Sequence, residues 1–263
     1  MASLRTLFIS LLAALALAVA PTASAVIFGT ADGDAHPYVV AVGQIMPDGS
    51  RGAFCSGTLV SPTVVVTAAH CGLIDEGSSD PAPAGQTFLV FHAPVYNTVA
   101  PVPGTFTPHR SFCVGCAGAP AGFGGHDLAV IELSRPLPGP YADLPKPKAV
   151  ERSFSAPSEL VMVGFGLSET GTFGVRRQGT ALAYVSPEFS DFLFLPSIPP
   201  RYSSACFGDS GGANLVGDTL IAVNSIGDDS CLGPSYSYRL DIPSAFSWLN
   251  KYVHGAPSNR PNK

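Results

Sequence analysis

The sequence predicts an all-β protein built as two similar halves and closed by a C-terminal helix. Three observations predict it. The 263 residues include 28 glycines and 25 prolines, which suits many short strands and turns better than a helical bundle. Short apolar runs bounded by turn residues recur along the chain, and the same style resumes after a proline-rich break. Helical spacing of apolar residues is clear in one late segment only.

The elements follow in chain order. Arg5, the apolar run Leu7 to Ala20 and the small residues Ala23-Ser24-Ala25 read as an export signal cut after Ala25. The run is short of the roughly 20 apolar residues that span a bilayer. Tyr38 to Met46, Ala53 to Val60, Thr63 to Ala69, Thr87 to His92 and Asp127 to Leu133 are expected strands. Leu133 to Ala149 carries Pro136, Pro138, Pro140, Pro145 and Pro147, so it reads as a linker. Glu159 to Phe165, Thr180 to Val185, Phe192 to Leu195, Asn214 to Val216 and Thr219 to Asn224 are the strands of the second half. Asp241 or Ser244 is expected to cap a helix running through Tyr252, with Phe246, Trp248, Leu249 and Val253 on its apolar face. Gly255 to Lys263 is polar and reads as a loose tail.

Charge and cysteine content narrow the function. The net charge is -5 and charged residues make up 13%. With no basic cluster to neutralise phosphates, nucleic acid is not an expected partner. After signal removal no segment is long enough to hold the chain in a membrane. Six cysteines in an exported chain read as disulfides, with the connectivity open. Cys113-Val114-Gly115-Cys116 lacks the second ligand pair of a zinc site and the surroundings of a redox motif. It reads as a local bridge in a loop.

A serine hydroxyl becomes a nucleophile when a histidine takes its proton and a carboxylate orients that histidine. Thr67-Ala68-Ala69-His70-Cys71 offers the base, His126-Asp127-Leu128-Ala129-Val130 the carboxylate and Gly208-Asp209-Ser210-Gly211-Gly212 the nucleophile. Each is weak alone; the order His, Asp, Ser is far more specific. With His36-Pro37-Tyr38, Cys55-Ser56-Gly57-Thr58-Leu59, Gly164-Phe165-Gly166 and Ser225-Ile226-Gly227, these residues make the chain resemble the trypsin and chymotrypsin family of serine peptidases. The resemblance runs from Val26 to the terminal helix.

It implies two six-stranded antiparallel β-barrels of chymotrypsin type, at about 26–135 and 150–240, with a helix at about 242–253 and a tail at 256–263. It also implies the roles. His70 would be the general base, Asp127 its orienting carboxylate and Ser210 the attacking residue. The N–H groups of Gly208 and Ser210 would form the oxyanion hole. Ser225 to Gly227 would be the edge on which substrate lies. Cys55 with Cys71 would brace the histidine loop, and Cys206 with Cys231 the specificity pocket. Cys113 and Cys116 match no common bridge of the family. Their loop is expected to shape subsites near the scissile bond. The implied partners are protein or peptide substrates and proteinaceous inhibitors, met by a monomer. No metal or organic cofactor is implied, and no loop of acidic ligands for calcium is evident. His36, His92, His109, His126 and His254 read as surface or packing residues.

Departures from the family refine these expectations. Ser204, six residues before the nucleophile, stands where trypsin-type enzymes place an aspartate. A neutral base suits an apolar or aromatic side chain. Gly227 leaves one wall of the pocket open, while Leu232-Gly233-Pro234-Ser235 aligns in two ways, and a bulkier wall would favour small residues. The mature start would be Val26-Ile27-Phe28-Gly29 directly after the signal, so the export cut itself would free the amino group that pairs with Asp209. Asn224, Ala213 and Ile226 depart from common family residues without removing a catalytic group. Two rivals remain for comparison. An α/β-hydrolase needs the order Ser, Asp, His and a helix after the serine. A non-catalytic binding protein on the peptidase fold would normally have lost one of the three residues retained here.

Overall fold

The computed structural model describes residues 26–73, 84–120, 124–154 and 157–253. The expected export segment and the expected tail lie outside the described residues. A two-residue strand, β1 (Thr30–Ala31), is followed by β2 (Val39–Ile45), β3 (Arg51–Ser61), β4 (Val64–Thr67), β5 (Thr87–Phe91) and β6 (Val102–Pro108). A small pair, β7 (Cys113–Val114) and β8 (Gly124–Gly125), precedes β9 (Ala129–Leu133). Six of these strands close into an antiparallel barrel in the order β2-β3-β4-β9-β6-β5.

The physical reason for β4 and β9 is plain in their composition. Val64, Val65, Val66, Val130 and Ile131 are β-branched, suit a pleated sheet and are all buried. Sequence reading overlooked β6 because of Pro103 and Pro108. Its pattern is nonetheless period two: Val102, Gly104 and Phe106 are buried and Pro103 and Thr105 exposed. Pro103 still accepts a hydrogen bond from Ser134 N–H through its carbonyl. A Cβ at Gly104 would lie 2.5 Å from Ile131 Cγ2, so the glycine allows the two strands their close approach.

The linker crosses between the halves and ends in a short helix, α1 (Ala149–Ser153), that sequence reading did not expect. The second half comprises β10 (Ser158–Gly164), β11 (Arg177–Val185), β12 (Phe192–Leu195), β13 (Ala213–Val216), β14 (Thr219–Ile226) and β15 (Ser235–Arg239). They run β11-β10-β13-β14-β15-β12, and a β11–β12 pairing closes the ring; β1 adds to the outside of β11. Strand β15 was also overlooked, because Ser235, Ser237 and Arg239 look like a polar surface yet are all buried.

The terminal helix, α2, spans Pro243–Val253 and buries Ala245, Trp248 and Leu249. Asp241 is not its cap. The Asp241 carboxylate instead accepts the Val150 N–H at 2.9 Å, at the start of α1, and binds the Arg239 guanidinium. One apolar cluster draws residues from both barrels, from Val39 and Phe88 to Val223 and Tyr238. The two barrels therefore share a core, and the site lies where they meet.

Candidate active site

His70 sits in a short 3-10 turn, Ala69–Gly72, that follows β4. Its Nδ1 is 2.7 Å from Asp127 Oδ2, and its backbone N–H donates to Asp127 Oδ1 at 2.9 Å. Asp127 is buried while the His70 side chain keeps 24% exposure. With Nδ1–H directed at the carboxylate, the lone pair of Nε2 is left for another proton. Burial disfavours the imidazolium and is the largest single influence. The charge and hydrogen bond of Asp127 together outweigh it and hold the His70 pKa above its ordinary value. Ser225 Oγ donates to Asp127 Oδ2 at 2.5 Å. Sequence reading gave Ser225 to the substrate edge, and its hydroxyl in fact completes the shell around the carboxylate. His126, next to Asp127 in the chain, stacks on His109 with ring centroids 4.9 Å apart. Burial, then the neighbouring His126, pushes the His109 pKa down to about 4, so it is a neutral packing residue.

Ser210 belongs to the second barrel but reaches the first. Its carbonyl accepts the Ser56 N–H at 2.8 Å and lies 3.9 Å from Cys71 Sγ, next to His70 in sequence. Ser210 itself is half-buried. The turn before it is held at its carbonyls. Leu167 N–H donates to the Phe207 carbonyl at 2.8 Å. In a trans peptide this turns the Gly208 N–H the opposite way. Ser56 Oγ donates to the Gly208 carbonyl at 2.8 Å. Gly208 has φ +94°, and a Cβ there would lie 2.9 Å from Gly166 Cα and 2.4 Å from Phe173 Cε2. Both conformation and space demand glycine. Phe207 and Phe173, 60% and 40% exposed, flank this turn. Sequence reading missed Phe173, Ser56 and Leu167 as site residues, since their roles arise from contacts across loops.

Asp209 is fully buried. Its carboxylate accepts from Gly166 N–H at 2.9 Å, Cys206 N–H at 3.0 Å and the Val26 backbone N–H. Burial is the dominant influence and pushes its pKa up to about 7 against these hydrogen bonds. Val26 is wholly buried, and Ile27 forms a bridge with Ser204, donating to its carbonyl at 2.9 Å. The N-terminal segment therefore reaches both the turn that carries Ser210 and Ser204. The Ser204 hydroxyl lies 3.3 Å from the Gly233 carbonyl and 3.4 Å from that of Ala205. The Gly233 carbonyl thus faces Ser204, while a Cβ at Gly233 would point at the Asp228 side chain, 2.6 Å away, and a Cβ at Gly227 would meet only the Ala205 backbone, at 3.4 Å or beyond.

The disulfides are Cys55–Cys71, Cys113–Cys116 and Cys206–Cys231. Among the described residues, Cys55, His70 and Cys71 form a grouping of metal-ligand atoms. Two of its three sulfur and nitrogen donors are sulfurs tied in a disulfide, so they are not thiolate ligands.

The sequence model of the trypsin family matches residues 29–249. The chain belongs to the trypsin family of serine endopeptidases. A trypsin of Saccharopolyspora erythraea is 27% identical over 209 residues, covering 76% of this chain and 84% of the relative. Scolexin B of Heliothis virescens is 29% identical over 230 residues, covering 77% and 76%. The solved structure of HL collagenase superposes with a TM-score of 0.67 over 87% of this chain and 99% of that one. At 20% identity it speaks for the fold alone. In this serine endopeptidase both barrels are closed rings of six strands, as the family resemblance implied.

Proposed function

We propose that this chain is a secreted serine endopeptidase that works through an acyl-enzyme, with Ser210 as nucleophile, His70 as general base and Asp127 as its orienting carboxylate. The observation that carries the reading is the linked set Ser225–Asp127–His70, which fixes the imidazole tautomer beside the Ser210 turn. His70 Nε2 takes the proton as Ser210 Oγ bonds to the scissile carbonyl carbon. The carbonyl oxygen becomes an oxyanion held by the N–H groups of Gly208 and Ser210. His70 then gives the proton to the leaving amine as the C–N bond breaks. Water, activated by the same imidazole, releases the acyl group.

The substrate preference is for an apolar or aromatic residue before the scissile bond. Ser204 brings no charge to the pocket, its hydroxyl lies against backbone carbonyls, and the neighbouring wall position Gly227 leaves open space. Exposed Phe207 and Phe173 extend an apolar surface around the oxyanion turn. The backbone of Ser225 to Gly227 is the edge on which the substrate pairs as an extra strand. Export fits three disulfides, and no helix of the described residues is long and apolar enough to cross a membrane. A cut after Ala25 would free the Val26 amine beside Asp209, making export the activating step. A peptide library varied at the residue before the cut, with Ser210→Ala as control, tests the reading. Cleavage after Phe, Tyr or Leu that vanishes in the control is expected; dominant cleavage after Arg or Lys would refute the pocket assignment.

A further inference from the structure

Beneath the nucleophile turn lies a set of buried polar side chains that the chemistry above does not use. Asn214 on β13, Asn224 on β14 and Ser237 on β15 are 0%, 3% and 0% exposed. Asn224 Oδ1 accepts from Asn214 Nδ2 at 2.7 Å and from Ser237 Oγ at 3.2 Å. The Ser237 hydroxyl accepts in turn from Asn214 Nδ2 at 3.0 Å, which leaves its proton for Asn224. The Asp209 carbonyl can only accept, so the Asn224 amide turns its nitrogen to it, and Asn224 Oδ1 is left to accept from Asn214 and Ser237. In that orientation Asn224 Nδ2 donates to the Asp209 carbonyl at 3.2 Å.

That carbonyl belongs to the same peptide unit as the Ser210 N–H. A trans peptide holds the two in opposite directions, so the two donors on the Asp209 carbonyl, the Gly212 N–H at 2.8 Å and Asn224 Nδ2 at 3.2 Å, together aim the Ser210 N–H. The backbone of Asn224 grips the same turn. Its carbonyl accepts the Gly211 N–H at 2.7 Å and its N–H donates to the Gly212 carbonyl at 3.0 Å. Asn214 Oδ1 has no partner among the described residues. A buried acceptor without a donor is destabilising, so the trio is a poor device for stability alone.

We infer that Asn224, oriented by Asn214 and Ser237, is a positioning residue that aims the Ser210 N–H into the oxyanion hole. The inference rests on Ser210 being the nucleophile. It acts on a bond made in the transition state, so it bears on kcat rather than KM.

The test compares the processed parent with Asn214→Val/Asn224→Val and with Ser237→Ala. The double variant removes the unpaired Asn214 Oδ1 but leaves the buried Ser237 hydroxyl without its two partners, so it should unfold below the parent temperature yet stay folded at the assay temperature. It should keep KM and lose about tenfold in kcat and in the rate of fluorophosphonate labelling, a loss of one well-placed hydrogen bond. Ser237→Ala should fall between the two. A folded double variant with the parent kcat and labelling rate would overturn the assignment, as would an unchanged rate in Ser237→Ala if the double variant does not fold. A parent that does not label at all would instead overturn the choice of nucleophile, and this role with it.

Discussion

At the scale of single residues, the active centre is governed by what each buried group is allowed to touch. His70 is held above its ordinary pKa because Asp127 outweighs the cost of its burial. The base must be neutral to accept the Ser210 proton, so kcat/KM should rise with pH through a value above the ordinary histidine pKa of about 6.5. Asp127→Asn should lower kcat by about 10⁴-fold, since an amide favours the wrong imidazole tautomer. A steady-state pH profile of parent and variant checks both, and an acid limb below pH 6 would contradict the assignment of the base. The Asp209 carboxyl is raised as well, here by burial. Its pKa is raised to about 7, so between pH 4 and 7 the unfolded chain ionises while the folded one stays protonated. A chain still extended before Val26 should therefore lose stability as pH rises across that window. Chain processed at Val26 should lose less, because the freed ammonium lowers the Asp209 pKa. Thermal unfolding at a series of pH values separates the two forms.

At the scale of elements, the sequence was legible wherever pattern and composition agree. The valine run of β4 and the alternating β6 obey the same geometry, yet only the first announces itself, because Pro103 and Pro108 read as breakers. Strand β15 hid behind serines and an arginine whose partners, Asp241 and Glu151, are remote or turned inward. The histidine and serine motifs were legible because both depend on short local turns. The contacts of Ser56, Leu167 and Phe173 were not, since each joins segments more than 30 residues apart or is set by loop folding. The β7–β8 pair makes its own prediction. Gly125, two residues before Asp127, packs against the Cys113–Cys116 bridge, where an added Cβ would lie 2.8 Å from Cys116 Sγ. Replacing both cysteines by serine should leave the fold intact and alter cleavage preference around the scissile bond; an unchanged library profile would sink that role. Helix α2 should matter for stability alone. Trp248→Ala should cost about 3–5 kcal/mol, read as a lower unfolding temperature, because it empties a site packed against His109.

At the scale of the whole molecule, the N-terminal segment ties the parts together. Val26 meets Asp209, Ile27 bridges Ser204, and Arg176 clasps Asp32 at 2.9 Å and the Val39 carbonyl at 3.1 Å. One segment thus touches the turn that carries Ser210, Ser204 and the entry to the first barrel. If the proposed cut frees the Val26 amine, adding one residue before Val26 would remove it from Asp209, a loss on the order of 3–5 kcal/mol. Peptidase activity of that form should collapse while its fold persists, and full activity would show that the export cut is not the switch. All of this hangs on Ser210 as an activated nucleophile in an open cleft. The most direct measurement is labelling of the folded, processed chain with a fluorophosphonate, read by mass spectrometry of the peptide that carries the adduct. A single adduct on Ser210, absent from Ser210→Ala and slowed in Asp127→Asn, is the predicted result; a folded and processed chain that takes no adduct would contradict it.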